Sequence, residues 1–240
     1  MENRMEKQVR ITPSLCDSDA LLGIANTFSL FMDIASEHAE SLGLGGKTML
    51  ERDLLWLTVR TRVHFIHRPF LMDTVRAVTW PGQPGRMRCM RYYRLYSGDA
   101  LLAEGKTEWA VLEKGSGRLH GVQDIYPAGL VLSAETACDT PFARIGEDFS
   151  DAGPLGAYRV LSTDIDLAGH MNNAAYVRVL VGMLSTSALA GRNVSTADIC
   201  FRAPCREGET LTAFSRQTER GTELALLRPE GKEAALLLLA

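Results

Sequence analysis

The feature that most narrows the fold is an order of elements that occurs twice. In the first half, a short extended stretch, Lys7 to Pro13, leads into Asp17-Ser-Asp19-Ala-Leu-Leu-Gly23-Ile-Ala-Asn26 and then a helical run, Thr27 to Ser41. Phe28, Phe31, Met32, Ile34 and Ala35 share one face at helical spacing, and Gly43, Gly45 and Gly46 close the run. Strand-rich segments follow at Leu54 to Ile66, Thr74 to Trp80, Arg86 to Tyr96 and Leu101 to Leu112, joined by turns at Pro81-Gly82, Ser97-Gly98-Asp99 and Lys114 to Gly117. One helix followed by turn-linked antiparallel strands predicts an α+β unit with the helix lying on a sheet.

The second half keeps this order. An alternating segment, Tyr158 to Asp166, runs through a Gly turn to His170, a pair of Asn and an apolar run with helical spacing. Sliding the chain by 147 positions sets Asp17 on Asp164, Asp19 on Asp166 and Asn26 on Asn173. A slide of 136 sets Val63-His-Phe65 on Ile199-Cys-Phe201 and Thr74 on Thr210, so the second copy has the shorter helix-to-strand connection. Duplication is the reading that explains the shared order. It gives a first unit over 1–132, a second over 157–240, and between them 133–156, which is rich in Ala, Gly, Asp and Pro and reads as a linker.

Composition excludes several classes. A chain of 240 residues with 46% hydrophobic and 23% charged residues is globular, and a net charge of −3 gives no general attraction to nucleic acid or membrane surfaces. The charged opening, Met1 to Lys7, lacks the apolar core of a signal peptide, and no apolar run approaches the roughly 20 residues that span a bilayer. Cys16, Cys89, Cys138, Cys200 and Cys205 are odd in number and scattered, which predicts free thiols in a cytoplasmic protein, no zinc site and no metal.

The chemistry concentrates in Asp164-Ile-Asp-Leu-Ala-Gly-His170-Met-Asn-Asn-Ala-Ala-Tyr176. This order brings a carboxylate, an imidazole and the unpaired N–H groups of a helix start together, which is what attack on an activated carbonyl requires. The plainer reading of Asp before a helix is a turn or capping acid. Asp19 fits that reading, because Gly23 stands where the second copy has His170; Asn173, matched by Asn26, reads as structural. His64 and His67 fall on opposite strand faces, against a shared metal, while His38 and His120 are expected in solvent. Arg86, Arg88 and Arg94, with Met90 and Tyr92, share a strand face and with Arg60 and Arg62 make either a basic patch or an ordinary solvated face.

Across nearly its whole length the chain resembles the acyl-acyl-carrier-protein thioesterases of plants and bacteria. The marks are Trp56 in Leu54-Leu-Trp-Leu57, Arg68-Pro69, Thr79-Trp80-Pro81, Thr107-Glu-Trp109 and, above all, Asp166-Leu-Ala168-Gly-His170-Met-Asn172-Asn173-Ala-Ala-Tyr176. In the last, the family's Asp, His, both Asn and Tyr are present, and Ala168 replaces an Asn. On the strand Ile199 to Cys205, Cys205 falls on the family's cysteine and Pro204 replaces a glutamate.

The resemblance implies a double hotdog fold, two tandem repeats each with a long helix packed on an antiparallel sheet. It implies hydrolysis of acyl-acyl-carrier-protein to free fatty acid in fatty-acid biosynthesis, without a cofactor, by a monomer or homodimer. Asp166 would serve as general base or nucleophile, and His170 would orient water or protonate the leaving thiolate. Asn172 and Asn173 would begin the helix whose N–H groups hold the oxyanion. Cys205 is either a nucleophile or a small buried apolar residue. The acyl chain is expected in the first repeat against Trp56, Phe28, Phe31 and Met32, and the basic patch would dock the acidic carrier protein. Acyl-CoA hydrolysis and non-hydrolytic acyl binding, the latter suggested by Ala168 and Pro204, are the competing expectations.

Overall fold

A computed structural model describes residues 3–189 and 193–240; Met1 and Glu2 of the charged opening lie outside the described residues. The chain forms β1 (Met5–Arg10), α1 (Ile24–Ser41), α2 (Gly46–Glu51), β2 (Leu54–Phe65), β3 (Thr74–Pro81), β4 (Cys89–Ser97), β5 (Ala100–Glu113) and β6 (Leu119–His120). A second set follows: β7 (Gly153–Arg159), α3 (Asn173–Gly182), α4 (Thr186–Leu189), β8 (Thr196–Phe201), β9 (Thr210–Thr218), β10 (Gly221–Leu227) and β11 (Glu233–Leu239). All eleven strands join one sheet, ordered β1-β3-β4-β5-β2-β8-β11-β10-β9-β7 with β6 on β5, and every pairing is antiparallel.

The two halves meet at β2 and β8, where Arg60 faces Cys200, Arg62 faces Asp198 and His64 faces Thr196. This register is a pseudo-two-fold. Moving Arg60 by 136 positions gives Thr196, and moving Cys200 back by 136 gives His64, which is another pair of the same ladder. Arg62 and Asp198 are therefore equivalent positions, and they pair with each other as a buried ion pair across the axis.

The strand-to-helix turns are equivalent at 149 positions, not at 147. Asp17 N–H donates to the Leu21 carbonyl at 2.9 Å, as Asp166 N–H does to the His170 carbonyl at 2.9 Å. Short bridges flank both turns, Cys16 with Leu22 and Ile165 with Met171. Ala20 and Gly169 occupy the same left-handed position, at φ 59° and 76°. Asp17 is thus the counterpart of Asp166, Leu21 of His170, and Gly23 of Asn172, the residue that caps each helix. Matching the acids by identity placed Asp19 on Asp166 and Asn26 on Asn173, two positions out.

Both helices pack together inside the curved sheet. Phe28, Phe31 and Ile34 of α1 and Tyr176, Val177 and Leu180 of α3 join Val63, Tyr93, Ile199 and Leu237 in one core. Helix α3 has 10 residues against 18 in α1, which supplies eight of the thirteen positions by which the offsets 149 and 136 differ.

The segment after residue 132 is not a free tether. Trp80 Nε1 donates to the Glu135 carbonyl, Lys106 Nζ to that of Thr140, and Phe149 packs on Ala225 and Leu236. This strap covers the outer sheet face, so β11 (Glu-Ala-Ala-Leu-Leu-Leu-Leu) is buried on both sides and carries no polar alternation. Gly153 to Gly156, expected as linker, already belongs to β7; as an edge strand with a bulge between Pro154 and Gly156, it tolerates its proline.

The basic patch is neutralised only in part. Arg94 is ion-paired with Glu135 of the strap, Arg60 with Glu108 at 3.0 Å and Arg62 with Asp198, while Arg86 and Arg88 precede β4 and form no ion pair among the described residues. His38 is not in solvent: the residue is only 3% exposed and its ring faces Arg91 on β4.

Candidate active site

Residues 161–173 form a tight loop pinned by Asp164. The buried Asp164 carboxylate accepts from Tyr158 OH at 2.7 Å, Leu161 N–H at 2.9 Å and Arg178 Nη2 at 2.6 Å. Its carbonyl accepts from Asn172 N–H at 2.8 Å, tying the loop to the start of α3. Asp164 is therefore the structural acid of the pair, which frees Asp166 for another role.

The two equivalent acids differ in their surroundings. In the first repeat, one Asp17 oxygen accepts from the Asp19 and Leu21 N–H groups, and the other is ion-paired with Arg68. Asp166 Oδ1 accepts from Ala168 N–H at 2.8 Å, but Oδ2 has no partner among the described residues. Asp166 instead lines a cavity of about 250 Å³, together with Leu167, Ala168, Asn172 and Asn173. The same turn thus carries a neutralised acid in one repeat and an unpaired one at a cavity in the other.

Helix α3 begins at this cavity. Asn172 caps it by accepting from Ala174 N–H at 2.8 Å, and the Asn172 carbonyl accepts from Ala175 N–H. Asn173 N–H has no acceptor among the described residues, so the positive end of the helix presents one free donor there. Asn173 Nδ2 donates to Thr58 Oγ1 at 2.7 Å, fixing the helix start on β2 at the bulge between Thr58 and Arg60. Asn173 reads as more than a repeat of Asn26, since its counterpart is Ile24.

From this mouth the cavity runs between the C-terminal half of α1 and the sheet of the first repeat. Met32, Ala35 and Ala39 line one side; Leu54, Trp56, Trp109, Cys89 and Arg91 line the other. Trp56 and Trp109 meet edge-on at 6.0 Å, and Trp56 Nε1 donates to the Leu44 carbonyl. Of the four expected walls, Met32 and Trp56 line the cavity. Phe28 and Phe31 do not: Phe31 is stacked on Tyr93 at 4.6 Å in the core, because it lies on the helix face turned to the sheet interior.

Three other expected positions fall outside. Cys205 is fully buried; its N–H donates to Tyr176 OH, its carbonyl accepts from Met171 N–H, and burial pushes its thiol upward. It is a core residue linking the β8 exit to the turn, not a nucleophile. Pro204 is exposed and does not line the cavity. His170 is half-buried, and its side chain is not part of the cavity wall and makes no hydrogen bond among the described residues. It sits across the turn from Asp166, whose N–H donates to the His170 carbonyl. Among the described residues, no group of three or more His, Cys, Asp or Glu side chains is placed to hold a metal ion.

Thr58, Asp164, Arg91 and His38 were missed as site residues. The doubled Asp-x-Asp of the turn was a signal for Asp164. Nothing local marks the other three, whose partners come from distant strands.

Comparison with known proteins agrees with this geometry. The acyl-ACP thioesterase N-terminal domain family matches residues 2–130 and the C-terminal domain family residues 151–235. A tandem hotdog sheet with an acid and a helix start at an apolar cavity defines a thioesterase-type fold, and the chain belongs to the acyl-ACP thioesterase family.

The chain is 24% identical over 238 residues to the chloroplastic acyl-[acyl-carrier-protein] hydrolase FATB3 of Cuphea viscosissima, covering 91% of this chain and 57% of that protein. It is 22% identical over 205 residues to the chloroplastic oleoyl-acyl carrier protein thioesterase of Coriandrum sativum, covering 78% and 55%. The chain thus spans about half the length of the curated relatives it matches. Among solved structures, the 12:0-ACP thioesterase from Umbellularia californica superimposes with a TM-score of 0.88 at 18% identity, over 100% of this chain and 97% of that one. An acyl-ACP thioesterase from Bacteroides thetaiotaomicron gives 0.86 at 16% identity, over 99% and 97%. Both share the double hotdog fold.

Proposed function

We propose that this protein hydrolyses acyl thioesters of acyl carrier protein, releasing the free fatty acid. The observation that carries the reading is that Asp166, with one oxygen unpaired, and Asn173, with a free N–H, line the same largely apolar cavity. The acyl chain enters between α1 and the first-repeat sheet, leaving its carbonyl at the start of α3. Asn173 N–H donates to the carbonyl oxygen as negative charge develops there. Asp166, held by Ala168 N–H through one oxygen, uses the other to take a proton from the attacking water.

With the chain inside, the sulfur and the pantetheine arm lie at the rim. A group serving the leaving thiolate belongs outside the cavity wall, and His170, across the turn from Asp166 and not part of that wall, is assigned that role. A thiolate leaves more readily than an amide nitrogen, so a site with Ala168 and Pro204 in place of polar residues retains its essential parts.

Thiol release from matched acyl-carrier-protein and acyl-CoA thioesters tests the proposal. Faster release from the carrier thioester supports it; a clear preference for CoA shifts the substrate class. Tight acyl binding with no release above background would instead establish the non-hydrolytic alternative. In the same assay, His170→Ala is expected to slow the carrier thioester by about 100-fold, the usual scale for a positioned acid. An aryl thioester, whose thiolate needs no proton, should lose much less. Equal losses on both substrates would remove His170 from the leaving-group step.

A further inference from the structure

The cavity holds a charge that an unmodified hydrocarbon chain does not use. Arg91 lines it, is 9% exposed, and has no carboxylate partner among the described residues. Its Nη1 contacts His38 Nδ1 at 3.1 Å and Thr79 Oγ1 at 3.4 Å, both neutral acceptors. Burial, with Arg91 adding to it, lowers His38 to about 4, so this imidazole supplies no counter-charge and none of its own positive charge at neutral pH. The nearest strand acid, Glu108, is taken by Arg60.

The other buried donors nearby are not open to the cavity: the Trp109 indole N–H and the Tyr93 hydroxyl are enclosed and lie against each other. A buried charge without a counter-charge is costly, so the guanidinium on this cavity calls for an anionic acceptor.

Sheet register places the guanidinium along the path of the chain. Thr58, which holds Asn173, faces Trp109 on β5, and Trp109 faces Cys89 on β4, two residues from Arg91. Two strand spacings across the sheet and two residues along β4 put the Thr58 and Arg91 backbones about 12 Å apart. A chain crossing the sheet from the mouth passes the Trp109 ring and meets Arg91 beyond it.

We infer that the cavity selects acyl groups bearing an oxygen acceptor toward their far end, a terminal carboxylate above all, which Arg91 binds. This rests on the thioesterase reading for its substrate, but the acceptor site itself does not depend on hydrolysis. A guanidinium grips a carboxylate through paired N–H groups, and a site built for such an acceptor rejects the analogue that lacks it.

Two measurements test it. Octanoyl, ω-hydroxyoctanoyl and suberyl carrier-protein thioesters, with shorter and longer series of each, are compared by kcat/KM. The free acids octanoate and suberate are compared by calorimetric binding, which reads the cavity even if no thioester is cleaved. At the best-fitting length, the wild type is expected to favour the oxygenated chain at least about tenfold in both measurements. Arg91→Met should bring that ratio to one or below; Arg91→Lys, which keeps the cation without the fork, should give an intermediate ratio and replaces the Met variant if that fails to fold. A wild-type preference for the plain chain at every length, or a ratio that the Arg91 variants leave in place, overturns the inference. Absent hydrolysis with suberate binding retained would instead overturn the proposed reaction and leave the acceptor site standing.

Discussion

Asp166→Asn is expected to lower turnover of an acyl-carrier thioester by at least about 100-fold while leaving the unfolding midpoint in place. The substitution is well matched to the question. Asn keeps an oxygen that accepts from Ala168 N–H, the only hydrogen bond the Asp166 side chain makes among the described residues. What it removes is the charge and basicity of a carboxylate that lines the cavity. The turn itself stands on Asp164, which holds Tyr158, Leu161 and Arg178, so the loop has no need of a charge at 166. The parallel change Asp17→Asn supplies the contrast. There the carboxylate pairs with Arg68 and does not line this cavity, so stability should fall and turnover should not follow the Asp166 pattern. Near-normal turnover in Asp166→Asn would mean that another group takes the proton from water.

The largest effect on stability is expected from Asp198→Ala, a loss on the order of 3–5 kcal/mol measured by denaturant unfolding. Asp198 lies on the pseudo-two-fold where the halves join, with its side chain 3% exposed against 11% for Arg62. It accepts from Arg62 and, through its other oxygen, from Ala143 N–H of the strap at 2.9 Å. Burial raises its carboxyl overall, more than the Ala143 N–H and Arg62 lower it. The intact pair thus adds little net stability, yet breaking it leaves a guanidinium buried and alone. That asymmetry makes a further prediction within the same experiment. Pairing Asp198→Leu with Arg62→Met should recover most of the loss, since buried ion pairs often exchange for apolar residues at little cost. A single-variant loss below about 1 kcal/mol would show that water reaches the axis and screens the pair.

Much of this architecture can be read from the chain, and the exceptions share one cause. Helix α1, strands β2 to β5 and the turn acids follow from periodicity and from Gly and Asp placement, which are local. The 136-position match is also correct, because β2 and β8 hold similar residues in similar places. The turn match was two positions out because hydrogen bonding, and not side-chain identity, defines equivalence there. Leu21 corresponds to His170 and Gly23 to Asn172, unlike residues whose backbones do the same thing. Arginine partners were hidden for a similar reason. Asp198 is 136 positions from Arg62 and Glu108 is 48 from Arg60, so three of the five arginines of a face that looks basic in sequence are neutralised once strands and strap assemble. His38 looked like a solvated helix end because nothing near it in sequence announces Arg91.

The candidate site divides along the same line. Asp166, Asn172 and Asn173 sit on one continuous segment and were visible together. Thr58, which fixes the helix start, comes from 115 positions away. Cys205 was placed near the chemistry by its neighbours in sequence, whereas its burial against Tyr176 assigns it to the core.

The account turns on where a thioester carbonyl rests. The direct measurement is a crystal structure with a non-hydrolysable acyl-pantetheine, in which a methylene replaces the thioester sulfur. The carbonyl oxygen should lie about 3 Å from Asn173 N–H, with Asp166 beside it and the chain between Met32 and Trp56. A carbonyl bound away from the start of α3, or a chain lying outside that cavity, would contradict the account.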